Sequence, residues 1–449
     1  MSELTSIVRA ALPVTTEQIY IAYSGGIDSQ VLLHVCTQLA EFKEKITAVY
    51  VHHGLQAIAE SWAIHCQQEA EKLGVNFQLL RVNAQPQLGE SPEAAARNAR
   101  YQALQPLLDK NDVLLVAQHR EDQLETVLLQ LFRGAGVQGL SAMPKAIAFG
   151  AGQLLRPFLE IAKQTIQTYA EAQHLCWVTD PSNACDDFDR NFLRNQVIPL
   201  LKTRWAQLDK TVARSAQHCA MAQQTLADVA EQLFAEVVNA DNSLSIARLQ
   251  RLSLQKQPLV VRHWFSELGL KMPSVAFVAA IFTEVISAKP SAEPTLKKAG
   301  VVLRRYQDKL YCEKELPCFE NTLQLTWQAF DDKLQLPDGS LLQRNPSLTG
   351  ISFSAWQQAR VTVRFRQGGE KIRLPHRNGQ HTLKKLLQEA QIPPWQRDKI
   401  PLLYVDEQLV AVADLWLSAD FQATTETRCY QLYWLKQVSS KTKILECKT

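Results

Sequence analysis

Ser24-Gly25-Gly26-Ile27-Asp28-Ser29 interrupts two apolar runs, residues 18–23 before it and 31–35 after it. Adjacent glycines cost backbone entropy inside any regular element, so the chain must change direction here. Such a turn is either a plain connection or a loop whose free backbone N–H groups hold an anion at a helix N-terminus. The second reading requires other polar segments to converge on the same place.

They do so if the surrounding pattern is a parallel sheet. Strand-like runs at 18–23, 46–51, 76–82 and 112–118 are each followed by a helix-like stretch. Ser91 and Pro92 supply a cap and a first position for the helix after the 76–82 run. Alternation of this kind predicts an α/β fold, a parallel sheet with helices on both faces. Ligands of such sheets sit beyond the carboxyl ends of the strands. The polar segments 24–29, 52–55 and 119–125 all fall at that edge.

Downstream the pattern changes twice. Residues 205–290 read as helical, and short alternating runs at 301–314, 323–330, 334–344 and 359–366 read as strands of a β-rich α+β C-terminal part. One helix is expected there, over 383–391. The expected division is an α/β domain over 1–215 that carries the diglycine loop, a mainly helical domain over 216–325, and a β-rich domain over 326–449. A chain of 449 residues accommodates two to four domains.

The net charge of +3 decides nothing, but residues 361–400 hold nine Lys/Arg against three Asp/Glu. An excess of +6 over forty residues attracts a polyanion by counterion release, or is a solvated surface. Nine cysteines, none spaced Cys-x-x-Cys, argue against a disulfide framework or zinc ribbon and for a reducing compartment. No signal-peptide pattern and no membrane-length apolar run are present, so a cytoplasmic protein without membrane association is expected.

The 24–29 loop lacks the lysine of a Walker P-loop. A carboxylate among phosphate donors suits a phosphate only with a cation such as Mg²⁺ between them, which would place Asp28 on the metal; Asp28 can also be a local turn former. In the helix that follows residue 119, Leu124, Val127, Leu128 and Leu131 have the spacing of a buried stripe. His119, Asp122 and Glu125 then lie within about 120° of one another on the other face. They suit a cationic substrate, a metal or a proton acceptor, or simply favour the helix N-terminus. His52 and His53 lack a third metal ligand at a usual spacing and read as structural or as nucleotide-edge residues. Trp177 reads as core. Asp180, Asp186, Asp187 and Asp189 suit a metal or ion pairs with Arg190 and Arg194, and Arg190, Asn191 and Arg194 suit phosphate contacts or internal salt bridges.

The Ser24–Ser29 loop resembles the pyrophosphate-binding loop of the PP-loop ATP pyrophosphatases. VHHGLQ (51–56), EAAARNARY (93–101), AQHREDQLETVLLQLFRGAGVQGLSAM (117–143), WVTDPSNACDDFDRNFLRNQVIPLL (177–201) and KKLLQEAQIPPWQRDKIPL (384–402) are similar to one branch, the bacterial tRNA(Ile)-lysidine synthetases. Two departures occur: His52 and Gln56 stand where that family often has Asp and Arg, and Glu121 where it often has Asp.

The resemblance implies a ligase that adenylates the carbon-2 oxygen of the wobble cytidine in a tRNA(Ile) with a CAU anticodon. Free L-lysine then displaces AMP through its side-chain amine, so decoding switches from AUG to AUA. Ser24, Gly25, Gly26, Ile27, Asp28 and Ser29 would hold ATP, with Mg²⁺ on Asp28. Asp122 and Glu125, with His119, would recognise lysine, whose amine has a pKa of about 10.4 and must lose a proton. Arg97, Arg100, Arg190, Asn191 and Arg194 would contact RNA or phosphate. Lys384 and Lys385 belong to the basic region expected to grip tRNA away from the anticodon, and no obligate protein partner is implied. The alternatives are a PP-loop tRNA thiolase, disfavoured by the missing Cys-x-x-Cys, and a non-catalytic RNA-binding protein, disfavoured by the intact Ser24, Asp28 and Ser29.

Overall fold

The computed structural model describes residues 2–54, 58–86, 91–289, 292–298, 300–315, 322–328, 330–352, 356, 359–423 and 429–435. Leu55 and Gln56 of the 51–56 motif, and residues 436–449, lie outside them. The chain divides into two compact units, 1–227 and 228–449.

The first unit is built on six strands: β1 (Ile19–Ala22), β2 (Ile46–His52), β3 (Asn76–Arg81), β4 (Val113–Leu115), β5 (Ala146–Phe149) and β6 (Gly152–Leu155). Their order is β3-β2-β1-β4-β6-β5, parallel except for the antiparallel edge strand β5. The helices are α1 (Glu3–Ala11), α2 (Ile27–Thr37), α3 (Ala59–Lys72), α4 (Pro92–Leu104), α5 (Arg120–Phe132), α6 (Val137–Leu140), α7 (Lys163–Ala172), α8 (Asp189–Phe192), α9 (Ile198–Arg204) and the first part of α10 (Leu208–Val237).

Alternation across the pleat explains the apolar runs. Ile19, Ile21, Val113 and Leu115 enter a core with Val31, Leu32 and Val35 of α2 and Ile166 of α7. Leu114 and Val116 face the other way, packing with Leu104 of α4, Leu108 and Leu154. Both faces are therefore covered, as expected. Burying a Leu, Ile or Val contributes about 1.5–3 kcal/mol, so central strands gain on every residue rather than every second one.

The chain runs outward from β1 through β2 to β3, then returns beside β1 as β4. That reversal is the topological switch point, where the loops leaving β1 and β4 part to leave a crevice. The Ser24–Ser29 loop follows β1, and the segment beginning at His119 follows β4. Ser91 caps α4, accepting from Ala94 N at 3.3 Å.

In the second unit the helical stretch is interrupted. Leu244–Ser245 forms a strand that pairs with Lys309–Lys314, which pairs with Val301–Tyr306 and then Thr295–Lys298. Leu244, Leu303 and Leu310 are buried with Val260, Trp264, Phe277 and Ile281 of the helices. The 301–314 runs thus complete the helical body rather than opening the C-terminal β-rich part, a correction to the sequence reading. Apolar alternation identified the strands but could not say which core their inner face would cover.

The remaining sheets carry a separate core around Trp327, Trp356, Val363 and Leu403. Helix Leu383–Glu389 buries Leu383, Leu386 and Leu387 with Ile372, Ile400 and Val412, leaving Lys384 and Lys385 exposed. Among the described residues no helix is long and apolar enough to cross a membrane.

Candidate active site

The loop after β1 is shaped by one glycine and two serines. Gly25 adopts φ +78°, and a Cβ there would stand 2.7 Å from Cys66 Sγ and 2.9 Å from Val178 Cγ2. Its carbonyl accepts from Val178 N at 2.9 Å, tying the loop to the segment before the Asp180–Asn183 turn. Ser29 Oγ donates to Gly26 O at 2.9 Å and accepts from Ser24 N at 3.2 Å, closing the turn. Gly26 is the N-cap of α2, with Ile27 and Asp28 in its first turn. First-turn N–H groups have no intrahelical acceptor and carry the positive end of the dipole. The loop is an anion cradle with a carboxylate at its rim.

Asp28 Oδ1 is buried and without a hydrogen-bond partner among the described residues. Burial pushes the Asp28 carboxyl above its ordinary pKa; His119 opposes the shift and Asp122 adds to it.

Across the switch point, His119 caps α5. Asp122 Oδ2 accepts from His119 N at 2.9 Å, a reciprocal arrangement that holds both residues at the helix start. The imidazole is 3% exposed. Its Nε2 lies 3.7 Å from Asp28 Oδ2 and 3.5 Å from Asp122 Oδ2, while Nδ1 lies 3.4 Å from Glu121 Oε2. Burial lowers the His119 pKa, but Glu121, Asp122 and Asp28 together outweigh it and hold the ring above its usual value. Burial raises Glu121, yet His119 and the Lys163 N–H, which Glu121 Oε2 accepts at 2.9 Å, bring it down to about 2.

Glu125 is buried to 1% exposure, one turn further along α5. Arg194 chelates it, Nε to Oε1 at 2.6 Å and Nη2 to Oε2 at 2.9 Å, and also reaches Asp122 Oδ1 at 3.3 Å. Arg190 Nε sits 3.1 Å from Glu125 Oε2, and its Nη2 donates to Thr126 Oγ1 at 3.1 Å. Burial pushes the Glu125 carboxyl up against the pull of Arg194 and Arg190. An unbroken chain of charge runs from Asp28 through His119, Asp122 and Arg194 to Glu125.

The expected apolar stripe of α5 is only partly buried: Leu124 is inaccessible but Leu131 is 53% exposed. Gln123, Leu124 and Glu125 are the buried residues instead. Gln123 exchanges two hydrogen bonds with the Met143 backbone, at 2.8 and 2.9 Å. Helix α5 is therefore seated by polar groups near its start, which periodicity of apolar residues does not register.

Other expected residues disperse. Arg100 and His53 line a cleft of about 430 Å³ with Ser24, Gly26 and Asp180. Burial, with Arg100 and His52, lowers His53 to about 4. Arg97 and Arg190 line a second cleft of about 590 Å³ with Glu93 and Arg133. The Asn191 amide donates to Ser182 O and Cys185 O at 2.9 and 2.8 Å, so it holds the preceding turn. Asp180 caps that turn and Asp186 accepts from Asn195; among the described residues no group of three or more metal-ligating side chains forms. Trp177, expected in the core, is 36% exposed, because the 174–189 segment crosses the surface between α7 and α8. Glu121, read only as a departure, is the residue the sequence reading missed. Its signal was its position two residues from His119 in a helix first turn.

Three family models match the chain: a PP-loop domain over residues 2–201, the TilS substrate binding domain over 244–311, and the TilS substrate C-terminal domain over 361–434. A tRNA(Ile)-lysidine synthase of Methylococcus capsulatus is 37% identical over 92% of this chain and 95% of its own length. The chain belongs to the tRNA(Ile)-lysidine synthase family. A second member, from Coxiella burnetii, is 40% identical over 90% of both chains, and a third, from Yersinia pseudotuberculosis, is 39% identical over 94% of this chain and 96% of its own. The match to this family runs through both units, so the site at the switch point belongs to a PP-loop ligase that uses ATP and acts on tRNA.

Proposed function

We propose that the protein ligates free L-lysine to carbon-2 of the wobble cytidine of a tRNA(Ile) with a CAU anticodon, at the expense of ATP. The observation that carries this reading is the His119 imidazole shared by Asp28 of the anion cradle and Asp122 of the acidic pocket. It joins a nucleotide site and a cation site within one reaction centre.

In the first half, the carbon-2 oxygen attacks the α-phosphorus of ATP, and pyrophosphate leaves. Ser24, Gly25, Gly26, Ile27 and Ser29 hold the departing phosphates by backbone N–H and hydroxyl groups. The unpartnered, buried Oδ1 of Asp28 is a hard carboxylate oxygen that would suit Mg²⁺ as a ligand. When bound, the ion neutralises phosphate charge that the Asp28 carboxylate would otherwise repel.

In the second half, the lysine side-chain nitrogen attacks carbon-2, and the carbon–oxygen bond to AMP breaks. Esterification is needed because an amide-like oxygen leaves poorly. The lysine ammonium competes with Arg194 for Asp122 and Glu125, and one of these carboxylates assists its deprotonation. Arg97, Arg100 and Arg190 face the clefts on either side of the centre and suit RNA phosphates. Asn191 keeps the Ser182–Cys185 turn in place.

The division of labour follows the expected domains: catalysis in 1–215, a substrate-binding body over 216–325, and a tRNA-gripping part over 326–449 that carries exposed Lys384 and Lys385. Arg366, Arg373 and Arg377 are paired with Asp398, Asp420 and Glu389, so the lysines supply much of the open positive charge there. Mass analysis of nucleosides from tRNA(Ile) incubated with ATP, Mg²⁺ and lysine tests the reading. Lysidine at the wobble position is expected; unmodified cytidine, or a sulfur adduct, would refute it.

A further inference from the structure

The IPPWQR stretch, residues 392–397, plays no part in the chemistry above, yet Trp395, Gln396 and Arg397 all make side-chain contacts to residues remote in the chain. Trp395 meets Tyr311 edge-on at 5.5 Å and Tyr306 at 6.2 Å, and the Arg304 guanidinium stands 5.2 Å over its ring. Glu313 binds this assembly from both sides. Its Oε1 accepts from Trp395 Nε1 and Gln396 Nε2, each at 3.2 Å, and its Oε2 takes Arg304 at 3.1 Å. Arg397 donates to Tyr306 OH at 3.3 Å.

Tyr306, Tyr311, Arg304 and Glu313 belong to the hairpin whose inner face completes the helical body. Trp395 lies six residues beyond the Leu383–Glu389 helix, which sits in a different core. Trp395, with Gln396 and Arg397 beside it, thus joins two parts of the second unit whose apolar cores are separate.

We infer that Trp395 is a positioning residue for tRNA selection, an inference that rests on the function proposed above. A basic surface on a loose tether adds affinity for any polyanion, because its charges settle on whichever phosphates are near. The same surface held rigidly adds affinity only where the phosphate spacing matches, since a mismatch leaves charges unpaired. Initiator and elongator tRNA(Met) share the CAU anticodon, so selection has to come from such a second surface. The Trp395–Glu313 joint fixes Lys384 and Lys385 relative to the helical body and so makes their charge selective.

The test uses the full-length protein and reads AMP formation with tRNA(Ile) and with initiator tRNA(Met). Trp395→Ala is expected to raise KM for tRNA(Ile) about tenfold, as a rigid second contact becomes a tethered one. It should shrink the preference over tRNA(Met) in step and leave KM for ATP unchanged. Trp395→Phe keeps the ring packing but loses the donor to Glu313, and Glu313→Gln weakens the Arg304 contact; both should give smaller losses in the same direction. These two variants carry the test if Trp395→Ala does not fold. Unaltered tRNA KM and preference would overturn the inference, as would a parallel rise in KM for ATP. Wild-type protein that forms no AMP with tRNA(Ile) and lysine would instead overturn the proposed function.

Discussion

His119 Nε2 stands 3.7 Å from Asp28 Oδ2, across the gap between two strand ends, although the two residues lie 91 positions apart in the chain. The contact exists because β4 returns beside β1, bringing the helix after each strand to the same crevice. It ties the anion cradle to the acidic start of α5.

Asp28→Ala should lower AMP formation by about two orders of magnitude or more, the loss typical of removing one electrostatic stabiliser of a transition state. Binding of tRNA should persist, since Asp28 lies at the rim of the anion cradle rather than on the exposed basic surface. Near-normal turnover in an AMP-release assay would take Asp28 out of the metal-holding role.

The two loop glycines should behave differently. Gly25→Ala forces a side chain into φ +78° and against Cys66 and Val178, and should cost about 2–4 kcal/mol in urea unfolding. Gly26 has φ −70°, and its nearest neighbour to an added Cβ is Ser24 Oγ at 3.5 Å. Gly26→Ala should therefore leave stability nearly intact while raising KM for ATP, because the methyl narrows the cradle. Equal destabilisation of the two variants would contradict this account of the turn.

Glu125→Gln should raise KM for lysine more than KM for ATP. The substitution removes the charge a lysine ammonium would share while keeping an acceptor for Arg194. Arg194 keeps Asp122 as a charged partner in the variant, so the effect should be mainly kinetic rather than structural. Unchanged dependence of rate on lysine concentration would refute the assignment.

Glu121 should make stability depend on pH in acid. Its folded pKa falls from 4.5 to about 2, so its contribution is complete above pH 4.5 and is lost as the pH drops toward 2. The contribution is on the order of 2 kcal/mol for a partly exposed carboxylate with these partners. Urea unfolding of Glu121→Gln should start from lower stability near neutrality and decline less steeply between pH 4.5 and 3. Parallel curves for the two proteins would show that Glu121 holds no such charge.

Lys384→Ala with Lys385→Ala should weaken tRNA binding and flatten its salt dependence, reducing the log–log slope by about 1–2 if both lysines meet phosphates. Both side chains are exposed on a helix whose apolar face is buried, so the fold should survive. A slope identical to wild type in filter binding would leave the region a solvated surface.

Much of the first unit was written in local pattern. Continuous apolar runs marked β1, β2 and β4 because both sheet faces are covered, and the diglycine turn marked the cradle because only a residue without a Cβ fits at φ +78° beside Cys66 and Val178. Spacing on α5 placed His119, Asp122 and Glu125 together, since helical geometry depends on nothing beyond the neighbouring residues.

What the chain order could not decide was pairing across distance. Whether Arg194 meets phosphate or Glu125, whether Trp177 is inside, and which core the 301–314 hairpin completes all depend on which surfaces meet after the chain reverses. Periodicity records that a face is apolar or charged, but the identity of its partner is set by burial and ion pairing between segments remote in sequence, and these exist only in the folded molecule.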